Sequence, residues 1–174
     1  MMTADDVVFI LDRLEAAGIA AWLDGGWAVD AVLGDVTRAH EDLDLIVDLD
    51  DVETMRHGLA GDGFELVRGD ATSNFVVRDA HAREIDVHPV RFDPGGDGIY
   101  RMENGEDWTF PAAGFEGTGS VGGREVRCLT ADVQMLCHST GYEPDAVDAR
   151  DMRLLHERLG TALLPPYDRL IADR

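Results

Sequence analysis

The segment Asp42-Leu43-Asp44-Leu45-Ile46-Val47 constrains this chain more than any other, because acidic and apolar residues alternate across it. In a strand, residues two apart project from one face, so Asp42 and Asp44 point together while Leu43, Leu45 and Val47 face a core. Two neighbouring carboxylates repel each other unless a cation lies between them. The pattern therefore asks for a metal, and hard oxygen ligands favour Mg²⁺ over a softer ion. Upstream, Ile19 to Leu23 reads as a short strand that breaks at Asp24-Gly25-Gly26 and restarts as a helix. Residues without a Cβ let backbone N–H groups approach a phosphate at a helix N-terminus. Joined, the two halves make a candidate nucleoside triphosphate site; taken singly, each also fits a solvated acidic face or an ordinary glycine turn.

The 174 residues allow one domain with a sizeable core. Fifteen basic residues stand against 35 acidic ones, a formal charge of −20. That balance repels a phosphate backbone and argues against nucleic acid as a partner, while it suits a small cationic molecule. A merely very soluble surface would carry the same balance. Cys128 and Cys137 have no C-x-x-C spacing and no secretory leader precedes them, which predicts free thiols in a cytoplasmic protein. No apolar run approaches the ~18 residues of a membrane span.

Helical spacing of Val7, Val8, Ile10, Leu11 and Leu14 predicts a packing helix with Thr3 as N-cap and Gly18 as C-cap. Asp50 is read as the cap of a second helix through Leu59, ended by Gly61-Asp62-Gly63. Strands are predicted at Phe64 to Val67, Asn74 to Arg78 and Glu84 to Phe92, giving a mixed sheet. In the last of these, alternation puts Glu84, Asp86 and His88 on one face. If it lies beside the Asp42–Asp44 strand, Asp86 completes a carboxylate triad; otherwise it is a solvent-facing acid. His88 reads equally as a structural histidine or a substrate contact, and His57, His81 and His156 as surface or packing residues. Residues 93–110, rich in Gly and Asp, read as a loop whose Tyr100, Trp108 and Phe110 either wall a pocket or anchor it to the core. A hairpin turning at Gly122-Gly123 follows, then a helix capped by Thr130 over Ala131 to Ser139. A further helix spans Asp145 to Leu159, with Val147, Met152, Leu154 and Leu155 inward.

Trp27, Asp30, Arg38 and His40 extend the glycine turn and the acidic strand into GGWxxDxxxGxxxRxHxDxD over residues 25–44. With this signature the chain resembles the small antibiotic nucleotidyltransferases of the DNA polymerase β superfamily, the aminoglycoside 2''-nucleotidyltransferase and lincosamide nucleotidyltransferase group. The likeness continues through Ile85-Asp86-Val87-His88-Pro89, Phe115-Glu116-Gly117, Val126-Arg127-Cys128-Leu129-Thr130 and Gly141-Tyr142-Glu143-Pro144. It covers nearly the whole chain. The resemblance implies an α/β (α+β) nucleotidyltransferase fold, a small mixed β-sheet flanked by helices. Residues 1–129 would form the catalytic core, and 130–174 C-terminal helices packed on it as a single compact unit. It also implies transfer of AMP, or another NMP, from ATP or another NTP to a hydroxyl of a cationic antibiotic, with pyrophosphate leaving.

On that reading Asp42, Asp44 and Asp86 are catalytic and hold two Mg²⁺ ions, Asp86 doubling as general base. Gly25 and Gly26 meet phosphate through backbone N–H groups, and Arg38 through its guanidinium fork. His40, with Glu41, either orients phosphates and ligands or is structural. Glu84, Tyr100, Trp108, Tyr142 and Glu143 are candidate acceptor contacts, since a cationic antibiotic needs carboxylates and aromatic faces. Small members of the family often pair, which implies a homodimer. A protein-modifying nucleotidyltransferase of antitoxin type, a metal-dependent phosphohydrolase and a non-catalytic cation- or nucleotide-binding protein are the competing readings.

Overall fold

The computed structural model describes residues 1–102, 104–140 and 143–172. The chain opens with helix α1 (Ala4–Ala16), where Thr3 Oγ1 accepts from the Asp6 N–H at 3.2 Å and the Asp6 carboxylate accepts from the Thr3 N–H at 3.0 Å. This reciprocal cap satisfies two of the donors a helix start leaves unpaired. Strand β1 (Ala21–Asp24) runs directly into helix α2 (Gly25–Leu33), because Asp24 ends the strand and accepts from the Gly25 N–H at 2.8 Å. Then come strand β2 (Asp42–Asp48), helix α3 (Val52–Gly61), and strands β3 (Glu65–Gly69), β4 (Phe75–Arg78) and β5 (Glu84–Phe92). Strands β6 (Gly98–Arg101), β7 (Asp107–Phe110), β8 (Thr118–Val121) and β9 (Arg124–Arg127) follow, and helices α4 (Ala131–His138), α5 (Ala146–Leu159) and α6 (Tyr167–Ala172) complete the chain.

Seven strands form a mixed sheet in the order β1-β2-β5-β4-β3, with β6 and then β7 added beyond the far end of β5. Among the strands of the described residues only β2 and β5 pair in parallel, and the chain between them supplies the long crossover that a parallel pair requires. The length of β5 lets Glu84 to Val87 pair with β4 and Val90 to Phe92 pair with β6. Leu43, Leu45, Val47, Ile85 and Val87 bury one face of the sheet against α1 and α3. Ile46 and Val90 bury part of the other face against Phe110, Leu129 and Val133. A third cluster joins Val29 of α2 to Met135, Met152, Leu155 and Tyr167 of the C-terminal helices. The face carrying Asp42, Asp44 and Asp86 is thus apolar only beyond the carboxylates.

Three expectations about the elements are corrected. Within 93–110, β6 and β7 pair as antiparallel strands, and ahead of them Asp93 accepts from the Gly95 and Asp97 N–H groups at 2.7 and 3.0 Å to close the turn between β5 and β6. Asp48, rather than Asp50, starts the second helical segment, accepting from the Asp50 N–H at 2.9 Å ahead of a short 3₁₀ turn. Val147 is 42% exposed; Asp151 takes the inward position beside Met152 and Leu155.

Candidate active site

The pairing of β1, β2 and β5 builds the site. In the parallel pair Asp44 stands opposite Asp86 and Asp42 opposite Glu84, while in the antiparallel pair Asp24 stands opposite Asp44. Ligand atoms of Asp44, Asp86 and His88 lie within 4.8 Å of one another. His88 is held between acids, with Nδ1 3.6 Å from Asp24 Oδ2 and Nε2 3.5 Å from Asp86 Oδ1.

Burial is the main reason the Asp44 pKa is pushed up to about 8, and the charges of Asp42, Asp24 and Asp86 add to it against the opposing charge of His88. Burial and the Asp86 charge also raise Asp42. For His88 burial acts the other way, but Asp24, Asp44 and Asp86 outweigh it and push the imidazole up to about 9. Asp24 is lowered despite its burial, through His88 and the Gly25 N–H. His88 is thus a protonated counter-charge, and the carboxylates still exceed it. The Asp44 and Asp86 oxygens, clustered beside the His88 ring, fit a hard divalent cation such as Mg²⁺, with Asp42 one step further along β2 and outside this cluster.

Neighbouring strands orient the acids. Asn74 donates to Asp86 Oδ1 and Arg68 Nη2 to Oδ2 at 3.3 Å, the latter from a strand whose register slips between Leu66 and Arg68. A bulge of this kind re-aims the side chains beside it. Glu84 accepts from Arg78 at 2.6 and 2.8 Å, so its charge is already matched.

Both glycines stand where a side chain has no room. A Cβ on Gly25, which has φ +58°, would run into the Asp44 carboxylate, and a Cβ on Gly26 would meet Arg38 Nη2 and the His40 ring. The buried His40 ring packs 4.4 Å from Trp27 and donates from Nε2 to Asp30 at 2.6 Å. Asp30 also accepts from the Thr37 N–H and hydroxyl, and these bonds lower its pKa against the effect of burial. Arg38 donates to Asp151 of α5.

On the open side, Tyr100 lies 5.4 Å from the His88 ring, and Trp108 packs beside Cys137. Asp24, Gly25, Asp44, His88, Cys137 and His138 line a recess of about 250 Å³. Burial lowers the His138 pKa, but Asp148 at 3.2 Å and the charge of Asp24 raise it on balance. Glu143 is exposed ahead of α5, and Tyr142 lies outside the described residues. Asp24, Arg68, Asn74, His138 and Asp151 escaped the sequence reading. Asp24 had a local signal, an acid directly before Gly-Gly at a helix start; the other four come from elements whose approach no local pattern announces.

A family model described as aminoglycoside-2''-adenylyltransferase matches residues 6–155. A lincosamide resistance protein of Staphylococcus haemolyticus is 27% identical over 154 residues, covering 88% of this chain and 94% of that protein. A 2''-aminoglycoside nucleotidyltransferase of Klebsiella pneumoniae is 29% identical over 122 residues, 68% of this chain and 63% of that protein. Among solved structures, the lincosamide antibiotic adenylyltransferase LnuA with lincomycin bound superposes with a TM-score of 0.78 at 25% identity, covering 88% of this chain and 96% of that one. ANT(2'')-Ia in complex with adenylyl-2''-tobramycin shares the fold, with a TM-score of 0.74 at 20% identity over 98% of this chain and 95% of that one.

Proposed function

Because the chain belongs to the aminoglycoside-2''-adenylyltransferase family and is a nucleotidyltransferase, we propose that it moves AMP from ATP to a hydroxyl of a cationic antibiotic, inactivating it. The observation that carries this reading is the pairing of Asp44 with Asp86 across the parallel strands, directly beside the glycine turn. Asp42, Asp44 and Asp86 would hold two Mg²⁺ ions, which supply charge neutralisation at the α-phosphate and the departing pyrophosphate.

The protein's own groups do the rest. Asp86 Oδ accepts the proton of the acceptor hydroxyl as the new O–Pα bond forms and the bond from Pα to pyrophosphate breaks; Asn74 and Arg68 keep it aimed. The Gly25 N–H is engaged by Asp24, so the first turn of α2 offers phosphate its Gly26 amide. Arg38 supplies the cation beside it. His40, bonded to Asp30 and stacked on Trp27, acts by holding this segment in place. Tyr100 and Trp108 wall the acceptor side with Glu143, while Glu84 is taken up by Arg78, and α4 closes the recess through Cys137 and His138.

Two acceptor classes follow from the relatives, aminoglycosides and lincosamides. The near-complete overlap with the Staphylococcus haemolyticus protein makes a lincosamide the first to test. The experiment is incubation with ATP, Mg²⁺ and each antibiotic, scored for pyrophosphate and for adenylylated product. Pyrophosphate only in the presence of a hydroxylated cationic antibiotic supports the reading; release with a protein acceptor alone, or free phosphate, overturns it. No helix among the described residues is long and apolar enough to cross a membrane; the cytoplasmic location is proposed from the use of ATP alone. Light scattering tests the expected homodimer.

A further inference from the structure

The reaction as written leaves a buried charge of α5 unused. Asp151 is 2% exposed and lies 113 residues from Arg38 in sequence, yet Arg38 Nε donates to its Oδ2 at 3.0 Å and Arg38 Nη2 stands 3.0 Å from the same oxygen. Nη2 also fills the space that a Cβ on Gly26 would take. One residue before Asp151, Arg150 donates to the Thr37 carbonyl at 2.5 Å. Thr37 Oγ1 in turn donates to Asp30 at 2.7 Å, and Asp30 holds His40. Two consecutive residues of α5 thus grip the segment that places Arg38 against the first turn of α2.

A free arginine side chain carries rotamer entropy that a ligand must otherwise overcome. Fixing it beforehand removes that cost from binding. A buried carboxylate is also an unfavourable way merely to brace two elements, since apolar packing does so without desolvating charge. We propose that Asp151 is a positioning residue for the nucleotide: it holds the Arg38 guanidinium against Gly26 through Nε and Nη2, while Nη1 donates to the Ala39 carbonyl at 3.2 Å, so that the remaining N–H of each terminal nitrogen is set for the triphosphate. α5 thereby becomes part of the nucleotide site. This rests on the reading of Arg38 as the triphosphate contact.

The test uses the full chain with Asp151→Asn, Asp151→Glu, Arg38→Lys, Arg38→Ala and the Arg38→Ala/Asp151→Asn pair. Calorimetric binding of a non-hydrolysable ATP analogue with Mg²⁺ is measured together with KM, kcat and Tm. Asp151→Asn should weaken analogue binding and raise the ATP KM about tenfold, the size of one charge-assisted hydrogen bond, with a smaller change in kcat. Arg38→Lys, which keeps the charge but loses the Nε contact, should share the penalty. In the Arg38→Ala background Asp151→Asn should add nothing, because the two act as one unit. A lowered Tm with unchanged analogue binding, or penalties that multiply in the double variant, would make Asp151 a structural brace and overturn the inference alone. Unchanged nucleotide binding in Arg38→Ala would overturn the assignment of Arg38 as well.

Discussion

At the scale of single residues, the site is a set of charges that the fold holds closer than they would choose. Asp44 has a folded pKa of about 8 against 3.8, and His88 about 9 against 6.5. Both are raised, so each contributes stability that is complete below its unfolded value and lost as pH rises through its folded value. Metal-free protein in chelator should therefore fall in Tm from about pH 4 up to about pH 9, Asp44 acting between 3.8 and about 8 and His88 between 6.5 and about 9, and more steeply than Asp44→Asn. A parallel pH profile for the two would remove Asp44 from the account. Mg²⁺ should raise the wild-type Tm and leave Asp44→Asn unmoved, while Asp42→Asn and Asp44→Asn abolish transfer without loss of fold. Gly26 gives a second prediction. Its φ is not in the left-handed region, so Gly26→Ala acts only through the lack of room beside Arg38 and His40. The overpacking should cost ~1–3 kcal/mol in chemical denaturation and weaken ATP binding. A variant of native stability and affinity would show that the two side chains yield freely.

At the scale of elements, two devices of the sheet aim side chains at the site. The register slip in β3 turns Arg68 toward Asp86, and the β6–β7 hairpin carries Tyr100 and Trp108 to the rim beside His88 and Cys137. On the proposed function the hairpin belongs to the acceptor side. Trp108→Ala and Tyr100→Ala should therefore raise the antibiotic KM several-fold, about 1 kcal/mol per lost aromatic contact, with the ATP KM unchanged. An equal rise in both constants would move the hairpin from the acceptor wall to general support of the fold.

At the scale of the whole molecule, every basic residue is an arginine, and many are spent in pairs such as Arg13–Asp62, Arg78–Glu84, Arg83–Asp79 and Arg101–Asp107. The pairing leaves the net −20 on carboxylates without a cation of their own. A negative cleft concentrates cationic ligands, and salt screens it over about 10 Å at 0.1 M. The antibiotic KM should rise with ionic strength, more steeply for an aminoglycoside than for a singly charged lincosamide. Initial rates at constant Mg²⁺ across a salt series decide it, and a flat KM would remove the electrostatic contribution while leaving nucleotidyl transfer intact.

Alternation with period two put Asp42 and Asp44 on one face of their strand and Asp86 with His88 on one face of theirs, whatever their neighbours, because side-chain direction in a strand is local. The N-cap at Thr3, the turn at Gly122-Gly123 and the break at Asp24-Gly25-Gly26 were legible for the same reason. Which strand lies beside which is not local. The β2–β5 register that sets Asp44 against Asp86, and the β1 register that brings in Asp24, depend on packing of the whole sheet. Residues 93–110 hid two short strands because their turns dominate the composition, and pairing partners rather than propensity make them strands. Asp151 reached Arg38 only because the cluster around Val29, Met152 and Leu155 docks α5 on α2. The chemistry of the site was written in the order of residues, and its charge balance was set by contacts that only the folded chain can make.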